Sequence, residues 1–357
     1  MAGYDMTEAV SAADLARYDA VIDVRSPAEF ALDHLPGAEN LPVLGDEQRA
    51  EVGTIYVQES RFLARRIGAA HVARNIARHL ETALADRPAS FRPLIYCWRG
   101  GQRSEAMATI LSQVGWPVTL LRGGYRTYRR QVTARLYDTP QALRLVLIDG
   151  HTGSAKTDVL HALSALGLQT IDLEGLAQHR GSLFGALAGR PQPSQKLFES
   201  RLLQALDRLD LTRPILVEAE ASKIGDRMTP PVLWRAMQSA PRIVLEAPQA
   251  SRARYLAGAY GDISADARAL EAAFDRLPVA PSRERRESWR AMIAQGAFAD
   301  LAQALIDLHY DPAYDRAARK ADAPVLTRLA IDPCDPESRG AAAQAIADEV
   351  RARFGAL

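Results

Sequence analysis

The chain has 357 residues, 48% hydrophobic and 24% charged, which is ordinary for a soluble globular protein and long enough for two units with separate cores. A net charge of +1 excludes polyanion binding through overall charge, so any nucleic-acid contact must use local basic patches. The two cysteines, Cys97 and Cys334, offer no disulfide framework, and no stretch approaches signal-peptide or membrane-span character, so a cytoplasmic location and no membrane partner are expected.

In chain order, VIDV (21–24) predicts a buried strand, and SPAEFALDHL after it a turn into a helix. Residues 59–84 read as one long helix. PLIYC (93–97) is a second apolar strand, followed by a Gly-rich turn and the helix SEAMATILSQVG, and WPVTLLRGG (116–124) is a third strand. Near 137 the pattern restarts, with Asp-Thr-Pro (138–140) as the linker. LRLVLIDG (143–150) is a strand leading into a helix, and PILVEAE (214–220) and PRIVLEAP (241–248) are further strands. Beyond 250 the chain turns Arg/Ala-rich and helical, ending in a helix from 338 to 354. Strands alternating with helices imply parallel sheets in two α/β domains, 1–137 and 138–357.

Cys97-Trp98-Arg99-Gly100-Gly101-Gln102-Arg103-Ser104 lies between a strand end and a helix start. Two glycines let successive N–H groups curl inward as an anion nest, and the following helix adds its positive end. Cys97 is therefore expected to be a reactive thiol rather than an inert buried one, with Arg103 returning to fork onto an oxyanion. Cys334 lacks any such nest.

Gly150-His151-Thr152-Gly153-Ser154-Ala155-Lys156-Thr157 has the strand–loop–helix context of a Walker A loop. Gly150, Gly153 and Ser154 would cradle phosphate, Lys156 would reach it as a point charge, and Thr157 could hold Mg²⁺, whose need is left open. Ala155 stands where glycine is normal, which is tolerable at negative φ. Glu218 or Glu220 could lie near a metal. No metal-ligand spacing is present among the histidines, so no resident metal is expected.

The Cys97 loop resembles that of rhodanese-like sulfurtransferases, as does DVRSPAEFALDHLPGAENLP (23–42), where Asp23 and Arg25 are expected to tie the strand end to its loop. With five residues between Cys97 and Arg103 the loop is one longer than the common rhodanese loop, as in the related Cys-dependent phosphatases, although Tyr96 stands where those carry His. A rhodanese-like domain followed by a P-loop NTPase-like domain with a helical C-terminal region is similar to the bacterial tRNA 2-selenouridine synthase family. VGTIYVQ (52–58), YCWRGGQRS (96–104), GGYRTYR (123–129), DLEGLAQHRGSLFG (172–185), QPSQKLFE (192–199), VEAEASKIG (217–225) and LHYDPAY (308–314) carry the similarity. Ala155 and Ala221-Ser222 depart from the family pattern.

The resemblance implies a tRNA-modifying transferase acting on wobble 2-thiouridine of the tRNAs for Lys, Glu and Gln. Geranyl diphosphate would first alkylate the sulfur, and selenium from selenophosphate, carried by Cys97 as a perselenide, would then replace it. The nest from Trp98 to Arg103 would receive selenophosphate. No tightly bound cofactor and no obligate protein partner are implied. For tRNA contact, 121–135 ranks first, since Arg122, Arg126 and Arg129 alternate with Tyr125 and Tyr128; the arginines of 61–78 and of 283–290 follow. His179 and Arg180 are candidates for diphosphate or tRNA contacts. A Cys-dependent phosphatase or sulfurtransferase fused to a kinase-like domain, acting on small molecules, is the alternative, and a redox-sensing P-loop regulator a third reading.

Overall fold

The computed structural model describes residues 3–139, 142–259, 271, 274–275, 277, 280–318 and 323–355; Pro140 of the expected linker lies outside them. The chain divides into two compact units, residues 1–138 with 199–208, and residues 139–198 with 209–357.

The first unit is built on β1 (Asp5–Thr7), β2 (Ala20–Asp23), β3 (Ala38–Asn40), β4 (Pro93–Tyr96) and β5 (Thr119–Leu121), in the order β1-β5-β4-β2-β3 with every pair parallel. Its helices are α1 (Ala12–Leu15), α2 (Pro27–Leu32), α3 (Asp46–Gln58), α4 (Arg61–Glu81), α5 (Gln102–Val114) and α6 (Tyr125–Thr133). Ile22, Ile95 and Leu120 from the sheet pack with Met107 and Leu111 of α5 and Ile76 of α4, all fully buried. The long helix expected over 59–84 is α4, and the segment before it is a second helix. Ser60 separates them by capping α4, its hydroxyl accepting the Leu63 N–H.

The second unit holds β6 (Leu145–Asp149), β7 (Gln169–Ile171), β8 (Ile215–Glu218), the hairpin β9 (Lys223–Ile224) and β10 (Arg227–Met228), β11 (Arg242–Glu246) and β12 (Val325–Ala330). The main sheet runs β12-β11-β6-β8-β7, again all parallel. Helices α7 (Lys156–Ala165), α8 (Leu173–Ala177), the start of α9 (Gln195–Asp207), whose residues from Glu199 belong to the first unit, α10 (Pro231–Ser239) and α11 (Gln249–Ala259) precede a helical C-terminal region. The last helix, Pro336–Phe354, lays Ala343, Ile346 and Val350 against Val159, Leu163 and the sheet.

All six strands visible in the sequence (β2, β4, β5, β6, β8 and β11) are interior. Of those that are not visible, β1, β3, β7 and β12 are the edges of the two five-stranded sheets, and β9 and β10 form the separate hairpin. Parallel strands covered on both faces read as unbroken apolar runs; edge strands do not. The exposed and half-exposed residues of β12 illustrate the difference.

Candidate functional site

The strand end of β4 delivers Cys97 into a loop that closes on α6. The Cys97 carbonyl accepts the Tyr125 N–H at 2.8 Å, and the Trp98 carbonyl accepts that of Arg126 at 3.2 Å. Gly124 permits this approach: at φ 58°, a Cβ there would come within 2.3 Å of the Cys97 carbonyl oxygen. Trp98 stacks on Tyr125, centroids 5.2 Å apart. Arg25, paired with Asp23 at 2.6 Å, lies 4.2 Å from the same tyrosine ring and donates to the Asp33 carbonyl, so the strand-end tie expected of Asp23 and Arg25 is buried beneath the loop.

The Cys97 side chain is only 4% exposed, and it packs on one side against the core of the first unit. Its sulfur nevertheless sits among polar donors, accepting the Gly101 N–H at 3.3 Å and the Ser104 hydroxyl at 3.1 Å. The setting is neither the open thiol expected of a nest nor a purely apolar pocket. Ser104, fully buried, is the residue the motif reading passes over. Arg103 differs from expectation: Nη1 is held by Glu29 at 2.8 Å, and Glu29 also takes Arg49 at 2.9 Å. Burial would raise the Glu29 carboxyl, but the Arg103 hydrogen bond and both positive charges outweigh it and hold it below the usual range. Arg99 and Gln102 are exposed.

In the second unit the loop from Gly150 to Thr157 runs from β6 into α7 and lines a cavity of about 610 Å³. Gly150 and Gly153 lie at positive φ, where a Cβ would strike the Leu245 carbonyl and Leu256. Ala155 corrects an expectation: it is left-handed, φ 58° and ψ 33°, not at negative φ, because the turn into α7 demands that conformation even with a Cβ present. Lys156 Nζ donates to the Gly150 carbonyl at 2.9 Å, and the Thr157 hydroxyl donates to Glu174 Oε2 at 3.0 Å. Ser154 Oγ is buried with no hydrogen-bond partner.

Three residues from distant segments brace the loop. Arg252 donates to the Thr152 carbonyl and forms a two-point pair with Asp311, while Tyr314 donates to Asp149 and packs on the His151 ring. Of the two acids offered to a metal, Glu218 is fully buried and accepts the Leu173 N–H, and Glu220 lines the cavity beside Glu174. Burial, then the Glu220 carboxylate, pushes Glu174 up to about 8, and burial raises Glu220 as well. Arg180 lines the cavity. His179 is absent from its wall; it is buried against Gly185 and Gly225, whose missing side chains make room for its ring. Leu183, Leu256, Ala259, Tyr255 and Tyr310 also line the cavity, Leu256 packed against Gly153 of the loop and the Tyr255 hydroxyl donating to Asp158 at 3.1 Å.

Residues 6–131 match the family described as Rhodanese-like domain, and residues 143–277 that described as tRNA 2-selenouridine synthase AAA domain. A protein of Marinobacter nauticus named tRNA 2-selenouridine synthase is 32% identical over 340 residues, which cover 86% of this chain and 90% of the relative. The chain belongs to the tRNA 2-selenouridine synthase family. Two further members of that family, from Nitrosomonas europaea and Sulfurovum sp., are 36% and 37% identical over 65% of this chain, which spans only 61% and 63% of their own length.

From its alternating arginines and tyrosines, tRNA contact was expected first in 121–135. The structure buries both aromatics of that segment, Tyr125 at 2% and Tyr128 at 3% exposure, so neither can stack on a base. Arg129 is engaged with Glu199, and Arg135 with Asp207. Arg122 and Arg126 remain exposed, Arg122 3.9 Å from Glu8. Among the described residues no helix is long and apolar enough to cross a membrane.

Proposed function

We propose that this chain replaces the sulfur of wobble 2-thiouridine in the tRNAs for Lys, Glu and Gln with selenium, in two steps. In the first, the thione sulfur attacks C1 of geranyl diphosphate; the S–C1 bond forms as the C1–O bond breaks and diphosphate departs. The N–H groups of the 150–157 loop and Lys156 stabilise the charge that develops on the leaving group. In the second, the Cys97 thiolate attacks the phosphorus of selenophosphate, and the S–P bond forms as the P–Se bond breaks. The released selenide attacks C2 as the sulfur leaves in geranyl thiol, and water frees Cys97 as phosphate departs, a course that needs no oxidant where a perselenide would. Alkylation matters because a thione is a poor leaving group and a thiol a good one.

The observation that carries the reading is the composition of the second unit's cavity: a phosphate loop together with Leu183, Leu256, Ala259 and two tyrosines in one lining. Its size lies within the range of small-ligand sites, and a prenyl diphosphate needs both kinds of lining. The donors around the Cys97 sulfur support the second step, since both hydrogen-bond the attacking atom and fix its direction.

Nucleoside mass spectrometry of tRNA incubated with each variant tests the reading. Cys97→Ser is expected to block selenium incorporation while geranylation of 2-thiouridine persists; wild-type 2-selenouridine formation by that variant would remove Cys97 from the mechanism. Lys156→Ala is expected to impair geranylation, and an unchanged rate would detach the loop from that step.

A further inference from the structure

We propose that the tip of the α3–α4 hairpin is a docking surface for a folded RNA, taking backbone phosphates on Arg61, Arg65 and Arg66 and stacking a base on Phe62. The inference rests on the reading of tRNA as substrate and names the surface that receives it, away from the 121–135 segment that sequence patterning favours.

The tip is unusual in two independent ways. Val57 at 82% exposure and Phe62 at 75% are the most exposed large apolar side chains among the described residues, with Tyr56 at 44% beside them. Side chains so exposed add little to the core, so folding does not account for them. The charge is equally one-sided. From 56 to 66 the sequence YVQESRFLARR holds three arginines against one acid, Glu59. Among the described residues none of the three arginines pairs with a carboxylate; Arg61 instead lies 5.5 Å from the Tyr56 ring centroid.

The placement works against helix stability. No acid occupies the first turn of α4, and Arg61 and Arg65 stand four apart, where like charges repel. The dipoles of α3 and α4 oppose each other at the tip, so the positive field there comes from the guanidinium groups themselves. Ser60 caps the turn and Gly68 lets α4 approach Val52 of α3, so the hairpin itself is regular up to its tip.

Guanidinium groups with exposed rings fit phosphate and base together: the planar fork matches phosphate oxygens, and aromatics give unpaired bases a sequence-tolerant platform. A protein partner held by apolar contact would need a larger patch, with little reason for three uncompensated positive charges.

The test is fluorescence anisotropy of a labelled bulk tRNA preparation against the full chain, across a salt series. Arg61→Gln/Arg65→Gln/Arg66→Gln is expected to make the slope of log K against log salt shallower by about 2–3, close to one for each guanidinium withdrawn from a phosphate. Phe62→Ala is expected to weaken binding by about tenfold at every salt concentration without changing the slope. Arg17→Gln/Arg92→Gln, exposed arginines of the same unit that each pair with an acid, is the control and should leave both unchanged. Circular dichroism should match wild type for every variant, and the thermal midpoint should not fall below it for the triple variant or Phe62→Ala, whose altered side chains are exposed. A wild-type slope and affinity in the triple variant, or an equally weakened control, overturns the docking surface while leaving the substrate reading in place. Absence of tRNA binding by the wild-type chain overturns both.

Discussion

The Ser104 hydroxyl and the Cys97 sulfur face each other at 3.1 Å across the first turn of α5, and the same hydroxyl lies 3.1 Å from the Gly101 carbonyl. When it donates to sulfur it stabilises a thiolate; when it donates to the carbonyl it leaves the sulfur to the Gly101 N–H alone. A hydrogen bond to a charged acceptor contributes about 1.5–3 kcal/mol. Ser104→Ala is therefore expected to slow alkylation of Cys97 by iodoacetamide at neutral pH by roughly tenfold or more, with Ser104→Thr restoring much of the rate. Stopped-time mass spectrometry of the labelled peptide measures it. An alanine variant that reacts as fast as wild type would leave the hydroxyl with a packing role only.

Both loops were legible in the sequence because each concentrates its chemistry in eight contiguous residues between a strand and a helix. What surrounds them was not, because the fold gathers it from afar. Arg252 reaches Asp311 across 59 positions and Arg103 reaches Glu29 across 74, and neither pairing leaves a local pattern. Tyr125 and Tyr128 did carry a signal. With Val132 they repeat at three- and four-residue spacing, the signature of one helix face turned inward, and all three are buried. Alternation with arginine disguised that face as an RNA platform. The four edge strands left no such mark, because exposure at the rim of a sheet breaks up the apolar run by which an interior strand is read.

Ala155 offers a test of backbone strain in the phosphate loop. A Cβ in the left-handed region costs about 1–2 kcal/mol, whereas glycine there costs about 0.4–1 kcal/mol through the greater freedom of the unfolded chain. Since Ala155 sits at φ 58°, Ala155→Gly is expected to stabilise the second unit by roughly 0.5–1 kcal/mol. Differential scanning calorimetry should show the corresponding transition shifted upward by about 1–3 °C. A downward shift would mean that the alanine methyl, buried at 4% exposure, contributes more through packing than it costs in strain.

Glu174 gives the second unit a dependence on pH whose sign can be worked out. Burial, followed by repulsion from Glu220, lifts its carboxyl to about 8, against roughly 4.3 for an unhindered glutamate. Between those values the folded chain holds a proton that the unfolded chain has released. The stabilisation is thus complete at acid pH, declines as pH rises through this window at up to about 1.4 kcal/mol per unit, and is lost above the folded value. Glu174→Gln keeps the shape and the acceptor for the Thr157 hydroxyl but cannot ionise. The variant should show a flatter curve of urea midpoint against pH from 5 to 8, and exceed wild type at the alkaline end. Because burial also raises Glu220, adding Glu220→Gln should flatten the curve further. Parallel curves for wild type and both variants would show that the two acids beside Lys156 ionise freely, and the phosphate loop would then face a doubly negative wall.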